Sequence, residues 1–110
     1  MKLKISKEFS ETLGGRFKSD GEYSGEEFYE SLLKPRFLNV LNTDDVLIIN
    51  LDGTYGYPSS FIDQSFGELS RVYGEKEVLK KLEFISNDQP GLIKIIKDNI
   101  ENPNQSKNNE

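Results

Sequence analysis

One run decides most of what this chain can become: Val46 to Leu69, VLIINLDGTYGYPSSFIDQSFGEL. Its first part, Val46-Leu47-Ile48-Ile49-Asn50-Leu51, is almost continuously aliphatic. That pattern predicts a strand buried on both faces, as in a sheet covered by helices. Asp52-Gly53 is a turn dipeptide and ends the strand. Beyond it, Ile62, Phe66, Leu69 and Tyr73 recur at helical spacing, which predicts a helix packed on the sheet. Ser60 followed three residues later by Asp63 fits a capping box at its start. The run therefore places two hydroxyls, Ser59 and Ser60, at a helix N-terminus. Backbone N–H groups are unpaired there and the helix dipole favours negative charge. A phosphoryl group on either serine would be accommodated electrostatically.

The flanking segments extend the same alternation. Leu3, Ile5 and Phe9 among lysines predict a first, edge-like strand. Gly14-Gly15 breaks the chain, and Arg16-Phe17-Lys18 predicts a second short strand closed by Asp20-Gly21. Ser24-Gly25-Glu26-Glu27 is a capping box, so a helix should follow with Phe28 and Leu32 inward. Pro35 should break or kink it. Gly67 inside the next helix costs about 1 kcal/mol relative to Ala and suggests close packing. Gly74 is a helix stop, Glu75 to Lys81 a short helix, and Leu82-Glu83-Phe84-Ile85 a last strand. Leu92, Ile93, Ile96 and Ile100 form the stripe of a closing helix. The expected order is β-β-α-β-α-β-α: an α/β domain with a mostly parallel four-stranded sheet covered by three to four helices. The domain spans residues 1–100. The polar segment 101–110, ENPNQSKNNE, reads as a disordered tail.

Composition narrows function by exclusion. The 110 residues make one domain. They include no cysteine and no histidine, which removes disulfides, His-dependent triads and His/Cys zinc sites. A net charge of −5 argues against nucleic acid as a partner. No apolar run approaches the roughly 20 residues of a membrane span. The reading is a cytoplasmic protein with no cofactor and no metal.

The side chains that could do work cluster on the turn and helix start. Tyr55, Tyr57 and Phe61 surround the turn, and if exposed they make an aromatic anchor for a protein partner. Pro58 would stiffen the loop and lower the ordering cost of binding. Asp63 fits a helix cap and counts with Tyr55, Tyr57, Pro58 and Phe61 in the partner-binding surface, and Asp52 lies where open α/β sheets place ligands. The same serines also fit an N-cap and a turn residue with no further role. A catalytic Ser60 lacks a histidine base, so no enzymatic role is expected.

The chain resembles the STAS-like family of unassigned function. The blocks GGRFKSDGEYSGEEFYESLLKP (Gly14 to Pro35), the Val46 to Leu69 run and LEFISNDQPGLIKIIKDNI (Leu82 to Ile100) carry the resemblance. It implies a central sheet with helices mainly on one side. In the related anti-sigma factor antagonists, a hydroxyl at a strand-to-helix turn is phosphorylated by an ATP-binding partner kinase, which breaks the complex. Pro58-Ser59-Ser60-Phe61 takes the place of that motif. Ser60 falls on the phosphorylated position, with Pro58 where an acid stands and Phe61 where a glycine stands. The resemblance implies a regulatory protein-binding module, a partner switch controlled at Ser60 or Ser59, with a kinase-like ATP-binding partner. Two alternatives remain: a phage or mobile-element inhibitor acting through acidic positions such as Glu26, Glu27, Asp44 and Asp45, and a small-molecule or nucleotide sensor at the strand ends near Asp52.

Overall fold

The computed structural model describes residues 1–103. Three strands form one sheet in the order β1-β2-β3: β1 (Lys2–Lys4), β2 (Leu47–Asn50) and β3 (Leu82–Ile85). Both pairings are parallel, with Leu3 beside Ile49 and Ile49 beside Phe84. Parallel neighbours need crossovers, and helices supply them. Between β1 and β2 run α1 (Ile5–Glu8), α2 (Gly25–Phe28) and α3 (Lys34–Leu41). Between β2 and β3 run α4 (Ser59–Ile62), α5 (Glu68–Tyr73) and α6 (Glu75–Lys81), and α7 (Gly91–Glu101) closes the fold.

The sheet is one strand smaller than the sequence suggests. Arg16-Phe17-Lys18 is not a strand: it leads into a 3-10 turn, Lys18–Asp20. The backbone here has other work. The Gly15 and Arg16 carbonyls accept from the N–H groups of Gly25 and Glu26, at 2.9 and 3.0 Å. The Ser24 hydroxyl accepts from Glu27 N–H at 3.0 Å, and the Ser24 carbonyl from Phe28 N–H. All four first-turn donors of α2 are thus matched. The Glu27 carboxylate takes the Tyr23 N–H, one residue before the position a capping box uses.

Both long helices contain a wide-turn segment. Residues 25–41 continue through a π-helical stretch, Tyr29–Leu33, and residues 59–73 through another, Asp63–Gly67. Pro35 does not break the first helix. Lys34 keeps helical angles (φ −62°, ψ −49°), and the preceding π turn gives the wider ring that a proline needs.

Burial alternates along every strand. Leu3, Leu47, Ile49, Leu51 and Leu82 point into the core, where Phe28, Phe61 and Phe66 meet them. Phe28 and Phe61 stack with centroids 5.6 Å apart. The opposite face carries Lys2, Lys4, Ile48, Asn50, Glu83 and Ile85, none of them buried. β2 is therefore covered on one face, not two. Its aliphatic run reads as two-faced because Ile48 sits half-buried between Lys2 and Glu83 on the open side.

Two glycines let helices touch. A Cβ on Gly25 would lie 2.6 Å from the Phe61 carbonyl oxygen, so α2 crosses α4 there with backbone nearly in contact. A Cβ on Gly67 would lie 2.5 Å from Asn99 Oδ1, which is why glycine sits opposite α7. Most of the expected polar tail lies outside the described residues. Of its start, Glu101 ends α7 and the Pro103 carbonyl accepts from Arg71 at 2.7 Å.

Candidate functional site

The carboxyl ends of the strands carry the turn that the sequence singles out. Asn50 Oδ1 accepts from Asp52 N–H at 3.0 Å, which bends the chain out of β2. Gly53 takes φ +94°, and its N–H donates to Asp88. Asp52 in turn accepts from the backbone N–H groups of Asn87 and Asp88, at 2.8 and 2.9 Å, and from the Asn87 amide. These donors, the Asp88 N–H foremost, hold the Asp52 carboxyl below its usual range. Asp52 is thus committed to tying the ends of β2 and β3 together.

Tyr55 comes next and is 87% exposed, far more than any other large apolar side chain described. Its backbone N–H is anchored to the Glu11 carbonyl at 2.9 Å, so the ring stands on a fixed base. Two shallow concavities flank it. One of about 370 Å³ is lined by Thr12, Leu13, Tyr55, Gly56, Tyr57 and Pro58. The other, about 230 Å³, lies over the strand ends and is lined by Leu51, Thr54, Tyr55, Ser86, Asp88, Gln89 and Leu92. Tyr57 lies half-buried, donating its hydroxyl to the Leu51 carbonyl at 2.8 Å. Burial pushes its phenol up to about 12.

The helix start differs from the capping-box expectation. Pro58 is the N-cap residue and offers no side-chain bond. Ser59 and Ser60 are the first two helical residues, Ser59 exposed and Ser60 half-buried. Among the described residues neither hydroxyl has a hydrogen-bond partner. The expected aromatic and acidic neighbours go elsewhere. Phe61 is fully buried, packed on Phe28, Phe9 and Tyr57, so it presents nothing to a partner. An apolar side chain at the third helical position points at the sheet, and that sets its fate.

Asp63 does not cap the helix either. Its side chain is 3% exposed and sits between two guanidinium groups. Arg16 pairs with one carboxylate oxygen, and Arg71 donates to the other at 3.0 Å. Arg71 also binds Glu68 at 2.8 Å and the Asp63 and Pro103 carbonyls. One carboxylate thus fastens the loop before α2, two turns of the 59–73 helix and the residues after α7. The signal missed is the i, i+8 spacing of Asp63 and Arg71, which places both on one helical face.

The surface that remains exposed from the expected set is Tyr55, Pro58 and Ser59, with Ser60 at its margin. The acidic positions of the inhibitor reading are partly committed. Glu26 accepts from Lys18 N–H, Glu27 from Tyr23 N–H, and Asp45 from the Met1 ammonium. No group of carboxylates suited to a metal ion occurs among the described residues. No helix among them is long and apolar enough to cross a membrane.

Residues 24–92, more than half of the chain, match the model of the STAS-like domain of unknown function (DUF4325), and the chain belongs to that family. The match takes in the turn, Asp63 and Arg71, and stops short of Arg16. No match was found among curated proteins or solved structures.

Proposed function

We propose that this STAS-like domain is a regulatory protein-binding module whose working surface is the turn from Tyr55 to Ser60. In this reading Tyr55 is the anchor that a cytoplasmic partner encloses, and Pro58 keeps the loop ready for it. The observation that carries the reading is Tyr55: a large aromatic ring left 87% exposed on an anchored backbone, between two concavities and beside the free Ser59 hydroxyl.

Control comes from charge. Transfer of the γ-phosphoryl of ATP to Ser59 or Ser60 Oγ, with release of ADP and the hydroxyl proton, adds about −1.5 to −2 charges. The positive end of the 59–73 helix tolerates that charge, while a partner fitted to neutral serines does not. A kinase-like ATP-binding regulator is the partner that the family resemblance implies. No catalytic step is assigned to the domain itself.

The test is quantitative binding of partners co-purified from the native host. Tyr55→Ala and Ser59→Glu should each weaken a partner by at least about tenfold, or 1.4 kcal/mol. Val72→Ala, at an exposed site on α5, should not. Equal retention by all four proteins removes the reading. A second reading, a small-molecule or nucleotide sensor, draws on the concavity over the strand ends. A rise in melting temperature with a nucleotide, at unchanged partner binding, would favour it.

A further inference from the structure

The two edges of the sheet are finished differently. On β1 the backbone groups that face away from β2 belong to Lys2 and Lys4. One group of each is taken by a side chain: Arg36 donates to the Lys2 carbonyl at 3.4 Å, and the Glu8 carboxylate accepts from Lys4 N–H at 3.3 Å. Arg36 and Glu8 are themselves paired at 2.6 Å. This edge is blocked, as natural sheets block edges to avoid pairing with other chains.

Among the described residues no such block exists on β3. Leu51 N–H donates to the Ile85 carbonyl at 2.8 Å, so Ile85 and, by alternation, Glu83 turn their backbone groups toward β2. Leu82, Phe84 and Ser86 turn theirs outward. Leu82 N–H closes α6 by bonding to Val78. The Phe84 N–H, the Ser86 N–H and the carbonyls of Leu82 and Phe84 have no backbone partner among the described residues. Phe84 belongs to the core side of the sheet, edge-on to Phe66, yet is only half-buried.

We infer that β3 pairs antiparallel with β3 of a second copy of this chain, around a twofold axis through Phe84. The edge is complementary to itself. In that register Phe84 exchanges both backbone bonds with its counterpart, and Ser86 N–H donates to the Leu82 carbonyl of the other copy, twice by symmetry. Every free edge donor named above is then matched. The side chains agree as well. Phe84 meets Phe84 on the core side, where cross-strand aromatic pairs stabilise a sheet. On the open face Glu83 falls opposite Ile85 of the other copy, so the two Glu83 carboxylates are not directly opposed. An unrelated extended peptide would satisfy the backbone but has no reason to meet this side-chain pattern. The contact is one strand wide, so the dimer is weak and concentration-dependent, forming a six-stranded sheet from two three-stranded ones.

The test uses the full chain and two readouts. Sedimentation equilibrium of the wild type should show a mass rising toward a dimer with concentration. Phe84→Lys, which places like charges across the axis, should stay monomeric. The second readout survives even if that variant folds poorly. The chain has no cysteine, so Glu83→Cys and Ile85→Cys each carry a single thiol at an exposed site. The proposed register puts these two positions directly opposite, with Cα atoms about 4.5 Å apart, within disulfide range. Mild oxidation of the mixed variants should give a cross-linked heterodimer at least tenfold faster than either variant alone. A monomeric wild type at every concentration overturns the inference. So does a dimer that persists in folded Phe84→Lys, or a mixture that cross-links no faster than its components.

Discussion

Replacing Asp63 by Asn tests how the turn and helix are held in place. The exchange keeps the shape of the side chain and removes the charge that two guanidinium groups share. Breaking a buried ion pair by removing one partner costs about 3–5 kcal/mol. Two features lower that figure here. The Arg16 side chain is 25% exposed, so water covers part of its loss. Arg71, 13% exposed, keeps Glu68 and the Pro103 carbonyl. The expected loss is therefore about 2–3 kcal/mol, which for a domain of this size lowers the melting temperature by roughly 10–20 °C. Urea denaturation of Asp63→Asn, Arg16→Met and the double variant gives the coupling directly, and contacts of this kind couple by about 1–3 kcal/mol. A single-variant loss below about 0.5 kcal/mol, the range of ordinary surface substitutions, would refute the account of Asp63 as the central fastening.

Two further outcomes follow from the packing and the buried phenols. Gly25→Ala should destabilise by about 1–3 kcal/mol despite the better helix propensity of alanine, because its Cβ meets the Phe61 backbone and not a side chain that can swing away; thermal denaturation checks it, and a stabilised variant would contradict the crossing. Burial pushes the phenols of Tyr57 and Tyr29 up to about 12, against an ordinary value of 10.0. These groups hold their protons more tightly in the fold, so their contribution is complete below pH 10 and is lost as pH rises toward 12. Denaturation midpoints should fall across that window, and less steeply in Tyr57→Phe.

What the sequence disclosed and what it withheld have separable causes. The strand at Leu47–Asn50, the strand at Leu82–Ile85 and the closing helix were legible because each has an uninterrupted apolar pattern. The family was legible from the blocks Gly14 to Pro35, Val46 to Leu69 and Leu82 to Ile100, most of whose residues fall in the matched span 24–92. The missing fourth strand shows the limit of local reading. Arg16-Phe17-Lys18 alternates like a strand, but the carbonyls of Gly15 and Arg16 are consumed by the N-terminus of α2 and the Arg16 side chain by Asp63. Those partners lie 10 and 47 residues away, beyond any periodicity. The site was half legible. The aromatic cluster Tyr55, Tyr57, Phe61 is one patch in sequence, yet one ring is exposed, one is tethered by its hydroxyl and one is in the core. Asp63 read as a cap because serine-to-acid spacing is the capping signature, and only the two arginines that meet it in the fold reveal its other use.

The central claim is that charge at the Ser59–Ser60 helix start controls a protein partner gripped at Tyr55. The most direct measurement is intact mass of the domain isolated from its native host, bound and unbound fractions side by side, for wild type and a Ser59→Ala/Ser60→Ala variant. The account predicts a phosphate-sized increment on wild type alone, enriched in the unbound fraction, with the double variant held in the complex. Identical masses in both fractions, and equal partner retention by both proteins, would contradict it.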